Sequence, residues 1–356
     1  MVDVEAALAA ACVVEGLIPP QAGEAILRAL QQGPFDPGVI AAEAGEHATP
    51  VIPLVRELRE RVGDEFADAV HLGATSQDIV DTAAMLLTQR ALAAIVADAS
   101  TAMTSAARLA VAHRTTPVLG RTLLQAALPT SFGLVAAGWM VGLERATAEL
   151  ERVRDAGLAV QMGGPVGSRS PQVAALMAST LGLAEPLLPW HTERTRIVQV
   201  GAALGGISGF AGKVASDVAL LAQTEVAEVR EGVEGRGGSS AMAHKRNPVA
   251  AVSVIACAHR VPGLVATLFA AMPQEHQRAA GTWQAEWGTL SDLLMLSGSA
   301  VAWLADLLEH LEVSATRMRE NLAASGVSSE LGASGVEAQF ADAAVLVDRA
   351  LAEVRR

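Results

Sequence analysis

Gly237-Gly238-Ser239-Ser240-Ala241-Met242-Ala243-His244-Lys245-Arg246-Asn247-Pro248 is the densest run of chemistry in an otherwise bland, alanine-rich chain. The two glycines admit backbone angles closed to other residues. Ser239 and Ser240 offer adjacent hydroxyls, and His244, Lys245 and Arg246 are three consecutive cationic or ionisable side chains. Asn247-Pro248 marks a turn or the start of a new helix. Two readings follow. A mobile loop carrying hydroxyls and cations suits a polyanionic substrate. The same residues also make a solvated basic turn between two helices, because short motifs match by accident.

The surrounding composition narrows the setting. The chain has 356 residues, 51% of them hydrophobic, enough for a large core and more than one domain. Its alanine richness favours helix. The absence of tyrosine removes phenolic acid–base chemistry and leaves Ser, His, Lys and the carboxylates. A net charge of −12 argues against a nucleic-acid partner, though a site can still be locally basic. Cys12 and Cys257 form no C-x-x-C pattern and read as buried free thiols of a reducing compartment. The eight histidines are scattered without metal-ligand spacing. The N-terminus lacks the basic-then-apolar pattern of a signal peptide. The longest apolar stretch, Ile197 to Gly212, reads as a buried bundle helix, too short and too interrupted to cross a membrane.

Along the chain the periodicity is helical. Residues 3–16 carry Val4, Ala7, Leu8 and Ala11 on one stripe, and a second helix follows with Ala25, Ile26, Ala29 and Leu30. Pro50 and Pro53 lead into a short helix through Leu54, Val55 and Leu58. From Ile79 an apolar pattern through Ala83, Leu86, Leu87, Ala91 and Ala94 predicts a very long helix toward Leu109. Further helices are predicted from about Phe132 to Arg154, Ile197 to Glu231, Val249 to Ala271, and through Glu286 to about Leu311. The tail reads as a Gly/Ser-rich stretch from Ser325 to Gly335, closed by an amphipathic helix with Val345, Leu346 and Leu351.

Three other stretches carry chemistry. Thr75, three positions before Asp78, has the form of a helix cap, and free amides at a helix start favour an anion. Gln161 to Ser168 is glycine-rich but follows no strand and does not fit G-x-G-x-x-G, which excludes a nucleotide cradle. In Trp190 to Arg196, His191 and Arg194 are candidates for binding carboxylates, or else Arg194 and Arg196 are helix-surface cations. His276 reads equally as a site residue and as a surface histidine.

The 237–248 stretch resembles the GSSxMPxKxNP loop of the fumarase/aspartase superfamily. Ala243 stands where that loop has proline, so the loop is expected to be less pre-set. His71 to Thr82 resembles the superfamily's first shared region and Gly120 to Gly133 its second. There Leu123 and Ala126 occupy places where relatives carry histidine, and Gln125 remains as a hydrogen-bonding group. Trp190 to Arg196 resembles the WHTxRD element of carboxymuconate cycloisomerases, with Thr195 replacing the aspartate, and Gln274 to Trp287 resembles the region that separates those enzymes from the lyases. The resemblance spans about residues 3–322, with both ends abbreviated.

What the resemblance implies is specific. The fold is expected to be all-α, with a small N-terminal helical domain (1–72), a central five-helix bundle (73–315) and a truncated C-terminal segment (316–356). The protein is expected to be a cytoplasmic homo-oligomer, a tetramer, acting on a small polycarboxylate without cofactor or metal. The implied reaction is lactonisation of a carboxylated muconate in aromatic catabolism. Ser239 would be the acid–base group with Lys245 beside it. Thr75, Ser76, Gln125, His191, Arg194, Ser240, Asn247 and Arg278 would bind substrate. The alternatives are a lyase of the adenylosuccinate type and a non-catalytic scaffolding paralogue. The missing histidines favour lactonisation, because a lyase expelling an amine needs a second acid.

Overall fold

The computed structural model describes residues 1–242 and 244–354, and the side chains of these apart from 328–331, 333 and 336. Ala243, and the looseness expected of it, lie outside the described residues. The fold is all-α, with two small antiparallel ribbons. In chain order the elements are α1 (Val2–Val14), α2 (Pro20–Gln31), α3 (Pro37–His47), α4 (Val51–Val62), α5 (Ser76–Ala112), β1 (Pro117–Thr122), β2 (Gln125–Ser131), α6 (Phe132–Arg152) and α7 (Pro171–Leu181). There follow α8 (Thr195–Leu221), β3 (Val229–Glu231), α9 (Val249–Ala271), α10 (Thr282–Glu309), β4 (Leu311–Val313), α11 (Ala315–Ala324) and α12 (Val327–Val354).

Packing groups the chain into two compact units, each discontinuous in sequence. The first holds residues 1–92, 152–201 and 266–291. Here α1 buries Val4, Ala7, Leu8 and Ala11, as its spacing predicts, and packs on α2 and α7. Leu54, Val55 and Leu58 of α4 are buried in the same way. The sequence reading passed over α3, which begins where Asp36 accepts hydrogen bonds from the amides of Gly38 and Val39, with Pro37 at the first helical position.

The second unit holds residues 93–151, 202–265 and 292–356. Its β1–β2 hairpin turns at Leu123-Leu124, both left-handed at φ 50° and 65°. Hairpin turns of this kind ordinarily take Asn-Gly. The helices α11 and α12 lie against the hairpin.

Three predicted extents are corrected. The helix begun at Ile197 does not reach Glu231. It stops at Leu221, where Ala227 adopts φ 51° and the amides of Ala227 and Glu228 return to the carbonyls of Gln223 and Leu221. On α5 the buried stripe runs through Ile79, Ala83, Leu86, Leu92 and Ile95, whereas Leu87 and Ala94 face outward. The Gly/Ser-rich tail is helical on both sides of a break at Gly332, and α12 buries Ala343, Ala344 and Val347 while Val345 and Leu346 stay exposed.

Candidate active site

In the first unit the chemistry gathers on the first two turns of α5. Gln77, Asp78, Asp81 and Thr82 are all buried there. Asp78 accepts five hydrogen bonds. Its Oδ1 takes Nε2 of His191 at 2.8 Å, Nε2 of Gln161 at 3.1 Å and the amide of Gly163 at 3.1 Å. Its Oδ2 takes the amides of Thr75 and Gly164, each at 2.9 Å. The bond from Thr75 is the helix cap expected from the three-residue spacing. Gly164 is required for this approach. Its φ is +68°, and a Cβ there would lie 2.7 Å from the carbonyl oxygen of Gly73. The glycine-rich loop is therefore a collar of amides around a buried carboxylate. Gln161 extends the collar, because its Oε1 accepts the amide of Trp190 at 2.7 Å.

One turn further along α5, Asp81 faces Arg194. Arg194 Nη1 donates to Asp81 Oδ2 at 2.8 Å and Nη2 to Oδ1 at 3.2 Å. Nε of the same guanidinium reaches both oxygens of Glu286, and Nη2 meets Glu286 as well. Trp283 Nε1 donates to Asp81 at 2.9 Å and Gln274 Nε2 to Glu286 at 2.9 Å. Burial pulls the Arg194 guanidinium down, but the charges and hydrogen bonds of Asp81 and Glu286 outweigh it and hold the group above its ordinary value. Burial lifts Glu286 above the usual carboxylate range against the pull of Arg194, and the charge of Asp81 adds to the lift. Arg194 is only 2% exposed. The surface-cation reading therefore fails for this residue, and its donors are committed to two carboxylates of the framework.

Thr75, Ser76 and Arg278 are less enclosed. Arg278 donates to Thr75 Oγ1 and stands over the Trp283 ring, 5.6 Å from its centre. Burial draws its guanidinium below the ordinary value, with Asp78 and Asp81 opposing. A helix start with two hydroxyls and a partly desolvated cation is a carboxylate-binding arrangement. Arg196, the other arginine of its stretch, is half-buried and meets the carbonyl of Gly157. His276 is exposed, with its own carbonyl accepting from Thr192 Oγ1 at 3.0 Å.

In the second unit the 237–248 stretch is a loop tied at its neck. The carbonyl of Gly237 accepts the amide of Asn247 at 2.8 Å and its Nδ2 at 3.1 Å, and Gly238 bridges to Arg246. Gly237 sits at φ +76°, and a Cβ would lie 2.3 Å from the Asn247 carbonyl oxygen. Beyond the neck, Glu231 caps α9 by accepting the amides of Ala250 and Ala251. Within the loop, Ser239 Oγ accepts the amides of Ala241 at 3.3 Å and Met242 at 3.2 Å. Those two donors point where negative charge would gather if the hydroxyl released its proton. Ser240 and Lys245 are exposed. Gln125 is exposed next to the hairpin turn, paired in register with Thr122.

Of the candidates named from sequence, Thr75, Ser76, His191, Arg194 and Arg278 thus belong to one unit, and Gln125, Ser239, Ser240, Lys245 and Asn247 to the other. The sequence reading missed Asp81, Gln161 and Glu286 as members of the buried network. Polar side chains at buried positions of an apolar helix were the available signal for Gln77, Asp78 and Asp81. No group of His, Cys, Asp and Glu able to hold a metal occurs among the described residues. Cys12 and Cys257 are free thiols, but only Cys12 is buried as expected, Cys257 being partly exposed.

A long-helix fold of this kind with a tied serine loop defines a class, and comparison bears on it directly. Residues 1–263 match the lyase family, and the chain belongs to it, within the fumarase/aspartase superfamily. Among its relatives is the 3-carboxy-cis,cis-muconate cycloisomerase of Bradyrhizobium diazoefficiens, 46% identical over 332 residues, covering 90% of this chain and 74% of that one. The nitrosuccinate lyase of Streptomyces davaonensis is 41% identical over 347 residues, covering 92% and 72%. The crystal structure of 3-carboxy-cis,cis-muconate lactonizing enzyme from Pseudomonas putida superposes with a TM-score of 0.91 at 37% identity, covering 100% of this chain and 94% of that one. Among the described residues four helices, α5, α8, α9 and α10, are long and apolar enough to cross a membrane. The length argument applied to the Ile197 stretch is therefore corrected, since α8 has 27 residues.

Proposed function

We propose that the chain is a cycloisomerase that lactonises 3-carboxy-cis,cis-muconate in the catabolism of protocatechuate. The observation that carries this reading is the 46% identity to a cycloisomerase of that substrate along nine-tenths of the chain. The chemistry asks little of the protein. A carboxylate oxygen of the substrate adds to its own double bond, and the π electrons move to the carbon alpha to another carboxylate. That carbon then takes one proton, so the product is an isomer and nothing leaves. Ser239 is the proton donor in this reading, and its alkoxide recovers a proton from water. The amides of Ala241 and Met242, bonded to Ser239 Oγ, support charge on that oxygen. Lys245 supplies a cation from the same loop. In the first unit Thr75, Ser76 and Arg278 are the candidates for holding a substrate carboxylate, and in the second Gln125, Ser240 and Asn247 are the candidate binding residues. No cofactor enters this step.

A second reading is elimination from a substituted succinate, favoured by the 41% identity to nitrosuccinate lyase. Loss of muconate absorbance with the purified protein separates the two. Turnover of 3-carboxymuconate is expected, with none of nitrosuccinate or adenylosuccinate. The reverse pattern overturns the reading. Ser239→Ala is expected to lower turnover by about 10²–10⁴ with little change in thermal stability.

The assembly proposed is a cytoplasmic homotetramer. Its support is the apolar surface left by the long helices, including Val252 and Phe269 on α9 and Met295 on α10, all more than half exposed. Sedimentation is expected to show four copies. A stable monomer at micromolar concentration contradicts it.

A further inference from the structure

We propose that Glu228 is a positioning residue that sets the hairpin of Gln125 and the root of the Ser239 loop in a single frame, with the C-terminal segment as its brace. The inference rests on the functional reading given above. Glu228 lies outside the stretches that suggested a site, and its side chain is fully buried. Three segments meet on it, all in the second unit. From the hairpin, Arg121 donates Nη1 to Oε2 at 2.9 Å and Nη2 to Oε1 at 2.8 Å, a two-pronged pair. From α11, Asn321 Nδ2 donates to Oε1 at 2.8 Å and to the Val226 carbonyl at 2.9 Å. From the start of the tail, the amide of Ser314 donates to the Glu228 carbonyl at 2.9 Å.

The tail grips the same turn a second time. Arg317 reaches the carbonyls of Glu225 at 2.9 Å and Val226 at 3.2 Å. Glu228 leads directly into β3, which pairs with β4, and three residues later Glu231 caps α9 on the far side of the loop. At the other end of the ion pair, Arg121 is registered against Ala126, one step from the Thr122–Gln125 pair that closes the hairpin turn. One carboxylate therefore fixes the heights of Gln125 and of the loop root against the tail. Its loss leaves Arg121 without its partner and both segments free to shift, while Thr75, Ser76 and Arg278 in the other unit keep their bonds. The expected signature is a fall in kcat larger than the rise in KM, because the proton donor is displaced together with Gln125, Ser240 and Asn247 while Thr75, Ser76 and Arg278 are not.

The test is Glu228→Gln in the full chain, assayed on 3-carboxymuconate and followed by hydrogen exchange. A fall in kcat of about tenfold or more is expected, with KM raised by a smaller factor. Exchange should rise over residues 117–131 and 229–248 and stay level elsewhere. Asn321→Ala, which removes the brace but keeps the Arg121 pair, should move both readouts in the same direction by a smaller factor, and it decides the matter if Glu228→Gln does not fold. Unchanged kcat and exchange in a folded variant overturn the proposal. So does a loss of activity that merely tracks the unfolded fraction, with exchange raised evenly along the chain. If the unaltered protein does not turn over carboxymuconate, the functional reading fails, and the pattern of exchange still decides the role of Glu228.

Discussion

Replacing Arg194 with methionine tests whether its charge belongs to the framework or to the substrate. The side chain volume is roughly kept, and the guanidinium is lost. In the native chain it bonds both oxygens of Asp81 and both of Glu286. The variant leaves two buried carboxylates facing each other with no cation between them. Removing one partner of such a buried arrangement costs about 3–5 kcal/mol. At about 2–4 °C per kcal/mol for a cooperative unit of 150–250 residues, the midpoint should fall by roughly 6–20 °C. The loss should depend on pH in a definite direction. Glu286 already sits above the usual carboxylate range, and without Arg194 it rises further. A carboxyl whose folded pKa is raised keeps its stability contribution below the unfolded value and loses it as pH climbs through the folded one. The deficit should therefore widen as pH climbs above about 4.3, the ordinary glutamate value, toward the raised folded one. Combining Arg194→Met with Asp81→Asn and Glu286→Gln should recover much of it, because no buried charge is then left unpaired. Differential scanning calorimetry over a series of pH values above the ordinary glutamate pKa, with KM measured on the folded fraction, is the assay. A destabilisation below about 1 kcal/mol, or a large rise in KM at unchanged stability, refutes the framework assignment.

Gly237→Ala should impair catalysis without unfolding the protein, because the added Cβ meets the Asn247 carbonyl at 2.3 Å and the residue is left-handed. We expect the neck of the Ser239 loop to open and kcat to fall about tenfold or more, checked by steady-state kinetics on a variant of normal melting temperature. His113 gives a second pH signature: burial, with Arg108 assisting, holds its imidazole below the ordinary value. The folded state then binds fewer protons than the unfolded chain, so stability should drop as pH falls through about 6.5 toward the lowered folded value, and His113→Gln should flatten that slope in thermal melts.

How far the sequence could be read follows from the range of each interaction. Helix existence was legible because it depends on neighbours three and four residues apart. Helix ends were less so. The stop at Leu221 depends on Ala227 taking a left-handed conformation, which an alanine does not advertise. The missed helix α3 did carry a local signal, an aspartate immediately before a proline. The strands β3 and β4 were illegible in principle, since each has three residues and its partner lies about eighty positions away. The tied loop was the opposite case. Its glycines, serines and Asn-Pro ending are contiguous, so its place is legible from the residues alone, whereas the reading as a mobile loop does not anticipate the neck between Gly237 and Asn247.

Candidate side chains separate further when their donors are counted. Arg194 and Arg278 look alike in sequence, each a cation near polar and aromatic residues. Arg194 faces Asp81 and Glu286 and is sealed among them, so its charge is balanced before any ligand arrives. Arg278 faces a hydroxyl and a ring and keeps part of its surface. An incoming carboxylate must replace the solvation that a cation still holds, and it gains most from one that is partly stripped of water but not yet paired. By the same reasoning His191, bonded through Nε2 to Asp78 and 4% exposed, secures the collar around the α5 start. In this reading the buried acids Asp78 and Asp81 do not oppose an anionic substrate. They hold His191 and Arg194 to the framework and leave Arg278, over the Trp283 ring, as the cation at the helix start.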